Sequence, residues 1–309
     1  MTLAELAPIQ EGSAIRNDVP MVYHLGAPHT DNDQLTRSLK KDSELLTKNG
    51  ILPQRQRRYR KRLNDMLLEL SGKMAPASLQ EKNFATLTEN QNLDRLVFSD
   101  SKFLGVSSWM LNKGILFKNA GPKTTALRNL FPDNPCEFFL AIMNPATLIP
   151  CAFSAQTSRE YDDFIGDTDL NSVCWSDVVS RIQRANPDCP ITVWCNEDTP
   201  IIWPSILARF TGLAADTRFL GELDVIQNLL PENAFLKLKQ YLDEKSELNE
   251  LQRRQVRGIF LEKFGVSDAV EEEIDLPGWT DSLVEKITEM YEDDIERISR
   301  MPGVKFICP

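Results

Sequence analysis

Residues 21–39, MVYHLGAPHTDNDQLTRSL, decide how the rest of the chain is read. Met21–Leu25 is a nearly continuous apolar run between Pro20 and Gly26, the length and bounding of a buried strand. Gly26-Ala27-Pro28 breaks that run, and from about Gln34 the spacing of Leu35 and Leu39 predicts a helix. A strand that passes through a short glycine-containing loop into a helix opens many α/β sheets. In such sheets ligands gather at the carboxyl ends of strands, often against the first helix N-terminus.

Three further apolar runs extend the pattern: LVFS (96–99), FFLAIM (138–143) and ITVWC (191–195). Near-continuous hydrophobicity suits parallel strands covered on both faces. Between them lie helical stripes, among them Leu45 and Leu46, then Tyr59, Leu63, Met66, Leu67 and Leu70. The alternation of strand and helix predicts an open α/β sheet. After about Leu220 only helices are expected, at 222–230, 233–242, 248–264 and 280–300. The organisation expected is an N-terminal extension over 1–19, an α/β domain over 20–220 and a helical C-terminal cap over 221–309, packed on the same core for want of a linker.

The 309 residues carry 35 basic and 45 acidic side chains, so nucleic acid and anionic membrane are poor partners for the chain as a whole. Its first twenty residues hold three carboxylates and no apolar run, unlike a signal peptide, and no later segment has the length of a membrane span. Six cysteines without a CxxC pair suggest reduced thiols and a cytoplasmic protein. Charge is clustered: RQRRYRKR at 55–62 places six positive charges in eight positions, whereas Val270–Arg300 is strongly acidic. Three readings of the basic block stand open: a solvated helix start, an intramolecular partner for the acidic C-terminal face, or a site for an anionic sugar, nucleotide or nucleic acid.

HLGAPHTDNDQLTRSL (24–39) resembles the phosphosulfate-binding loop of the sulfotransferase family, whose usual form is close to HxGxxKTGTTxLQxxL. LVFSDSKFLG is similar to that family's second strand, and FFLAIMNPATLIPCAFSA to the strand and helix that grip the 3′-phosphate. DLPGW (275–279) and MPGVKFICP (301–309) resemble the tail of a bacterial branch. The resemblance implies a P-loop NTPase-like parallel sheet flanked by helices. It also implies transfer of a sulfuryl group from 3′-phosphoadenosine-5′-phosphosulfate to a hydroxyl of a carbohydrate or small molecule.

On that resemblance the donor-binding positions are Gly26, His29, Thr30, Asp31, Asn32, Asp33, Met143 and Cys151, and most of them are altered. His29 stands for the family's lysine, Asp31 for a glycine, and Asn32 and Asp33 for hydroxyl residues. Met143 stands for an arginine and Cys151 for a serine. The fixed cation and the hydroxyl donors are gone, and two carboxylates flank a helix start that should hold a phosphate. The family's general base falls near Ser101, with Asp100 adjacent, so His29 and Asp100 are the candidates for catalysis. Two functions follow: a non-catalytic binding or regulatory module, or an active sulfotransferase in which His29 serves in place of lysine.

The residues also admit blander roles. Asn32 or Asp33 reads as an ordinary helix N-cap. His24, in the strand, reads as a satisfied core side chain, against a minor alternative of a metal site built on His29, Asp31 and Asp33. The five tryptophans read as core, and Cys151 as a thiol at a helix start. No GxSxG, HExxH, GxGxxG or intact GxxxxGK[ST] occurs.

Overall fold

A computed structural model of the chain describes residues 16–52, 56–88, 91, 93–266 and 276–309. Residues 1–15 of the expected N-terminal extension and the acids at 271–275 lie outside the described residues. Strand β1 (Met21–His24) is followed by α1 (Gln34–Lys41), α2 (Ser43–Lys48), α3 (Gln56–Leu70), α4 (Ala77–Thr88) and β2 (Leu96–Ser99). A small hairpin, β3 (Leu111–Asn112) and β4 (Ile115–Leu116), precedes α5 (Ala120–Arg128) and β5 (Cys136–Ile142). Helices α6 (Pro145–Ser154), α7 (Tyr161–Ile165) and α8 (Trp175–Ala185) lead to β6 (Ile191–Cys195) and α9 (Thr199–Thr211). The C-terminal part contains α10 (Asp224–Gln227), α11 (Glu232–Glu244), α12 (Glu250–Phe264), α13 (Asp281–Ser299) and β7 (Val304–Ile307).

The main sheet has the order β2-β1-β5-β6-β7 with every pairing parallel, the P-loop-like α/β architecture expected from the sequence. His24 pairs in register with Ser99 on one side and Phe139 on the other, which places β1 in the interior of the sheet, next to β2 and β5. Every residue of β1, β2 and β6 is buried, as their unbroken apolar runs require. One face of the sheet presents Tyr23, Phe98, Phe138, Leu140 and Val193 to Tyr59, Leu63, Trp175 and Ile298 from the helices; the other presents Val22, Val97, Phe139 and Trp194 to Leu35, Leu39, Ile206 and Phe210. Alternate residues of each strand therefore stabilise opposite helical layers, at roughly 25 cal/mol per Å² of apolar surface removed from water.

The sequence reading errs at the C-terminus. Strands do not end at Leu220, because Val304–Ile307 adds a fifth strand beside β6, with Trp194 opposite Ile307. Its alternating, half-exposed pattern, in which Lys305 faces solvent, is that of an edge strand and lacks a continuous apolar run. The C-terminal helices also differ in their packing. Tyr291 and Ile298 of α13 join the core under the sheet, whereas Ile226, Leu238 and Leu242 form a separate cluster with α12 that lies against α9. Among the described residues, no helix is long and apolar enough to cross a membrane.

Candidate functional site

The loop between β1 and α1 stands at the carboxyl end of the sheet, beside the exit of β2. Gly26 adopts φ +57°, and a Cβ there would lie 2.6 Å from Ser101 Cα, so glycine alone permits this approach. His29, Asn32 and Asp33 are also left-handed, with φ of 73°, 46° and 66°. Short polar side chains tolerate this region better than most. The chain thus turns tightly into α1 at Gln34, where the apolar spacing places the helix start.

At that helix start two N–H donors are already taken from within. Asp31 Oδ1 accepts the Leu35 N–H at 2.8 Å, and the Asp31 carbonyl accepts the Gln34 N–H at 2.8 Å. Asp31 is therefore the side chain that caps the helix. Asp33 stands at the N-cap position but makes no capping bond, contrary to the ordinary cap expected of it or of Asn32. Thr30 spends its hydroxyl on the Ala27 carbonyl at 2.8 Å. An internal carboxylate thus occupies first-turn N–H density that an anion-binding loop would offer to a phosphate.

The Asp33 carboxylate turns instead to Arg60 of α3, whose Nη1 and Nη2 donate to its two oxygens. Arg60 Nε lies 3.2 Å from Asp100 Oδ2, and Arg60 Nη2 donates to the Ser99 carbonyl at 3.0 Å. Tyr59 Oη donates to the same carbonyl at 2.6 Å and accepts the Ser99 N–H at 3.1 Å. Burial opposes the Arg60 charge, but the hydrogen bond that it donates to Asp33 and the field of Asp100 outweigh that and raise its pKa. Conversely, the Arg60 hydrogen bond holds the Asp33 carboxyl below the usual range. Desolvation pushes the Asp31 carboxyl up. Asp100, 6% exposed, also accepts the Lys102 N–H at 2.9 Å, so it is a paired structural carboxylate.

Within RQRRYRKR this arrangement concerns Arg60; the side chains of Arg55, Arg57 and Arg58 lie outside the described residues, and Lys61 is exposed. Arg60 serves none of the three roles weighed for the block: it faces the loop, and its carboxylate partners are Asp33 and Asp100, not the C-terminal acids. Charge clustering alone concealed this, because a helix directs neighbouring residues to different faces. The usable signal was the pair Tyr59-Arg60, an aromatic on the apolar stripe followed by a cation at its edge.

The two histidines are separated by environment. His24 is buried, stacks on Trp194 with ring centroids 5.6 Å apart, and shares a hydrogen bond with Ser99 Oγ through Nδ1 at 2.9 Å. Among the described residues its Nε2 has no hydrogen-bond partner, so the satisfied core histidine expected is satisfied at one nitrogen only. His29 Nε2 lies 3.0 Å from Ser107 Oγ. Burial lowers the pKa of both rings. Among the described residues, no three His, Cys, Asp or Glu side chains are grouped as metal ligands.

Met143 and Cys151, the positions expected for a 3′-phosphate, offer no cationic donor. Met143 directly follows β5 and is half-buried, and its carbonyl accepts Trp175 Nε1–H at 2.8 Å. The next N–H, of Asn144, donates to Glu197 Oε1 at 2.7 Å, and Tyr291 Oη donates to Glu197 Oε2 at 3.0 Å. Asn144 itself caps α6 through the Ala146 N–H. Cys151 is exposed on α6 seven residues beyond Asn144, inside the helix and not at its start. Sequence reasoning missed Glu197, Asn144 and Tyr291 because they come from three distant segments with no local motif.

Beside Leu35, Tyr59 and Ser99 lies a cavity of about 20 Å³, room for a single water. Four tryptophans are core, but Trp109 is 61% exposed, against the expectation that all five pack inside. No protein-family model matches the chain, and no curated protein matches its sequence.

Proposed function

We propose that this chain is a sulfotransferase-like protein whose donor-binding positions have become internal contacts, and that it acts as a non-catalytic binding or regulatory module. The observation that carries the reading is the placement of Arg60 between Asp33 and Asp100 while Asp31 caps α1. A donor phosphate entering there meets two carboxylates and must displace the Asp31 oxygen from the Leu35 N–H. The active alternative, transfer from 3′-phosphoadenosine-5′-phosphosulfate with His29 as the cation, needs a protonated ring. Burial works against that proton. A cytoplasmic setting belongs to the same proposal, supported by Cys136 and Cys189, which lie buried as thiols.

The test is titration of the protein with millimolar 3′-phosphoadenosine-5′-phosphate, followed at the backbone amide resonances of Gly26 to Leu35. The expected result is no saturable movement. Saturable shifts confined to those amides overturn the reading and restore a working donor loop.

A further inference from the structure

Between the exit of β2 and the start of α5 lies an open cavity of about 360 Å³, lined among others by Lys102, Lys118, Lys123, Val106, Trp109 and Phe117. Three lysines and no acidic residue line it, in a chain of net charge −10. Among the described residues, neither Lys102 nor Lys118 has an ion-pair partner. Lys123 Nζ donates to the Leu104 carbonyl at 2.8 Å, a neutral acceptor, and among the described residues its half-buried ammonium has no ion-pair partner. An anion in the cavity supplies a compensating charge.

Trp109 gives the cavity an aromatic wall that is already held in place. The Arg159 guanidinium lies 4.8 Å over the indole, and Arg159 Nη1 donates to the Ser108 carbonyl at 2.9 Å. The short turn Ser107–Trp109 is also tied to His29 through Ser107 Oγ. An exposed indole fixed by its neighbours offers a flat apolar contact at little entropic cost.

We infer that this cavity binds a small aromatic dianion, an aryl phosphate by charge and shape, with the phosphate among Lys102, Lys118 and Lys123 and the ring against Trp109. The geometry asks two things of the ligand together. Inorganic phosphate lacks the ring, and a neutral aryl alcohol lacks the charge. This inference goes beyond the reading of the loop and does not depend on it.

The experiment follows the Trp109 indole N–H resonance, assigned with Trp109→Phe, as 4-nitrophenyl phosphate is added. Saturable movement is expected, with affinity at least tenfold weaker for 4-nitrobenzyl alcohol and for inorganic phosphate. The double variant Lys102→Gln/Lys118→Gln, whose exposed substitutions leave the core intact, is expected to lose at least tenfold in affinity. No saturable shift, equal binding of the neutral alcohol, or unchanged affinity in a folded double variant each overturns the inference. Because the reporter is Trp109, the outcome is independent of whether the amides of Gly26 to Leu35 move.

Discussion

Arg60 and Asp33 meet through both guanidinium Nη atoms and both carboxylate oxygens, across 27 residues of sequence. The pair joins α3 to the turn that opens α1, and Asp100 at the exit of β2 shares the same guanidinium. One cation thereby fixes three segments that converge on the carboxyl end of the sheet. Bidentate geometry gives such a pair direction as well as energy.

Removal of that cation exposes the cost of the carboxylates it serves. Arg60→Met leaves Asp33 and Asp100 close together and unpaired, a loss of about 2 kcal/mol for a partly buried pair. Urea unfolding at pH 7 is expected to show this loss, and Arg60→Met/Asp33→Asn to recover part of it. The Arg60 hydrogen bond depresses the Asp33 pKa. The stability it adds is therefore present above the unfolded value near 3.9 and disappears as pH falls through the folded one. As pH falls below the depressed folded pKa of Asp33 the wild type and Arg60→Met should converge.

Asp31 has the opposite sign. Burial raises its folded pKa, so the native state holds the proton more tightly than the unfolded chain, and stability declines as pH rises through the window that begins near 3.9. Asp31→Asn keeps an Oδ1 acceptor for the Leu35 N–H and removes the charge. Its unfolding midpoint at pH 7 is expected to exceed that of the wild type, with the difference closing below pH about 4. A lower midpoint at pH 7 means that the carboxylate charge is worth more at the helix start than its desolvation costs.

Much of this fold was legible because parallel strands buried on both faces leave unbroken apolar runs. β1, β2, β5 and β6 are found where MVYHL, LVFS, FFLAIM and ITVWC stand. β7 was not, since an edge strand with Lys305 facing solvent carries half the signal. The loop at Gly26 and the helix start at Gln34 were legible from local residue types. Which carboxylate caps and which pairs was not, because that depends on Arg60, a residue brought in by α3. Glu197 over the Asn144 N–H was illegible for the same reason. Trp109 was misread because residue type alone does not distinguish a core aromatic from an exposed one held by Arg159.

The two histidines offer a direct check on the charge of the loop. Burial lowers both pKa values, so each ring binds its proton less readily in the native state. Stability is then lost as pH falls below the unfolded value of about 6.5. The ring protons of His24 and His29, assigned with His29→Asn, are expected to titrate with midpoints below 6.5. A His29 midpoint above 7 supplies the cation that an active donor loop requires and contradicts the non-catalytic reading.

Gly26 and Gly72 together measure how closely the loop approaches β2. Both are left-handed, with φ of 57° and 83°, so alanine at either pays a backbone cost of about 1 kcal/mol. A Cβ at Gly72 meets nothing within 4 Å, whereas one at Gly26 would lie 2.6 Å from Ser101 Cα and 2.7 Å from the Asp100 carbonyl oxygen. Backbone atoms cannot rotate away as a side chain end can, so Gly26→Ala must displace the loop or the exit of β2. Displacement of either also pulls Asp33 or Asp100 from Arg60. Gly72→Ala is expected to lose about 1 kcal/mol in urea unfolding, and Gly26→Ala roughly 3 kcal/mol or more. Equal losses at the two sites would show that the loop yields without cost and that its contact with β2 does not set the position of the Arg60 pair.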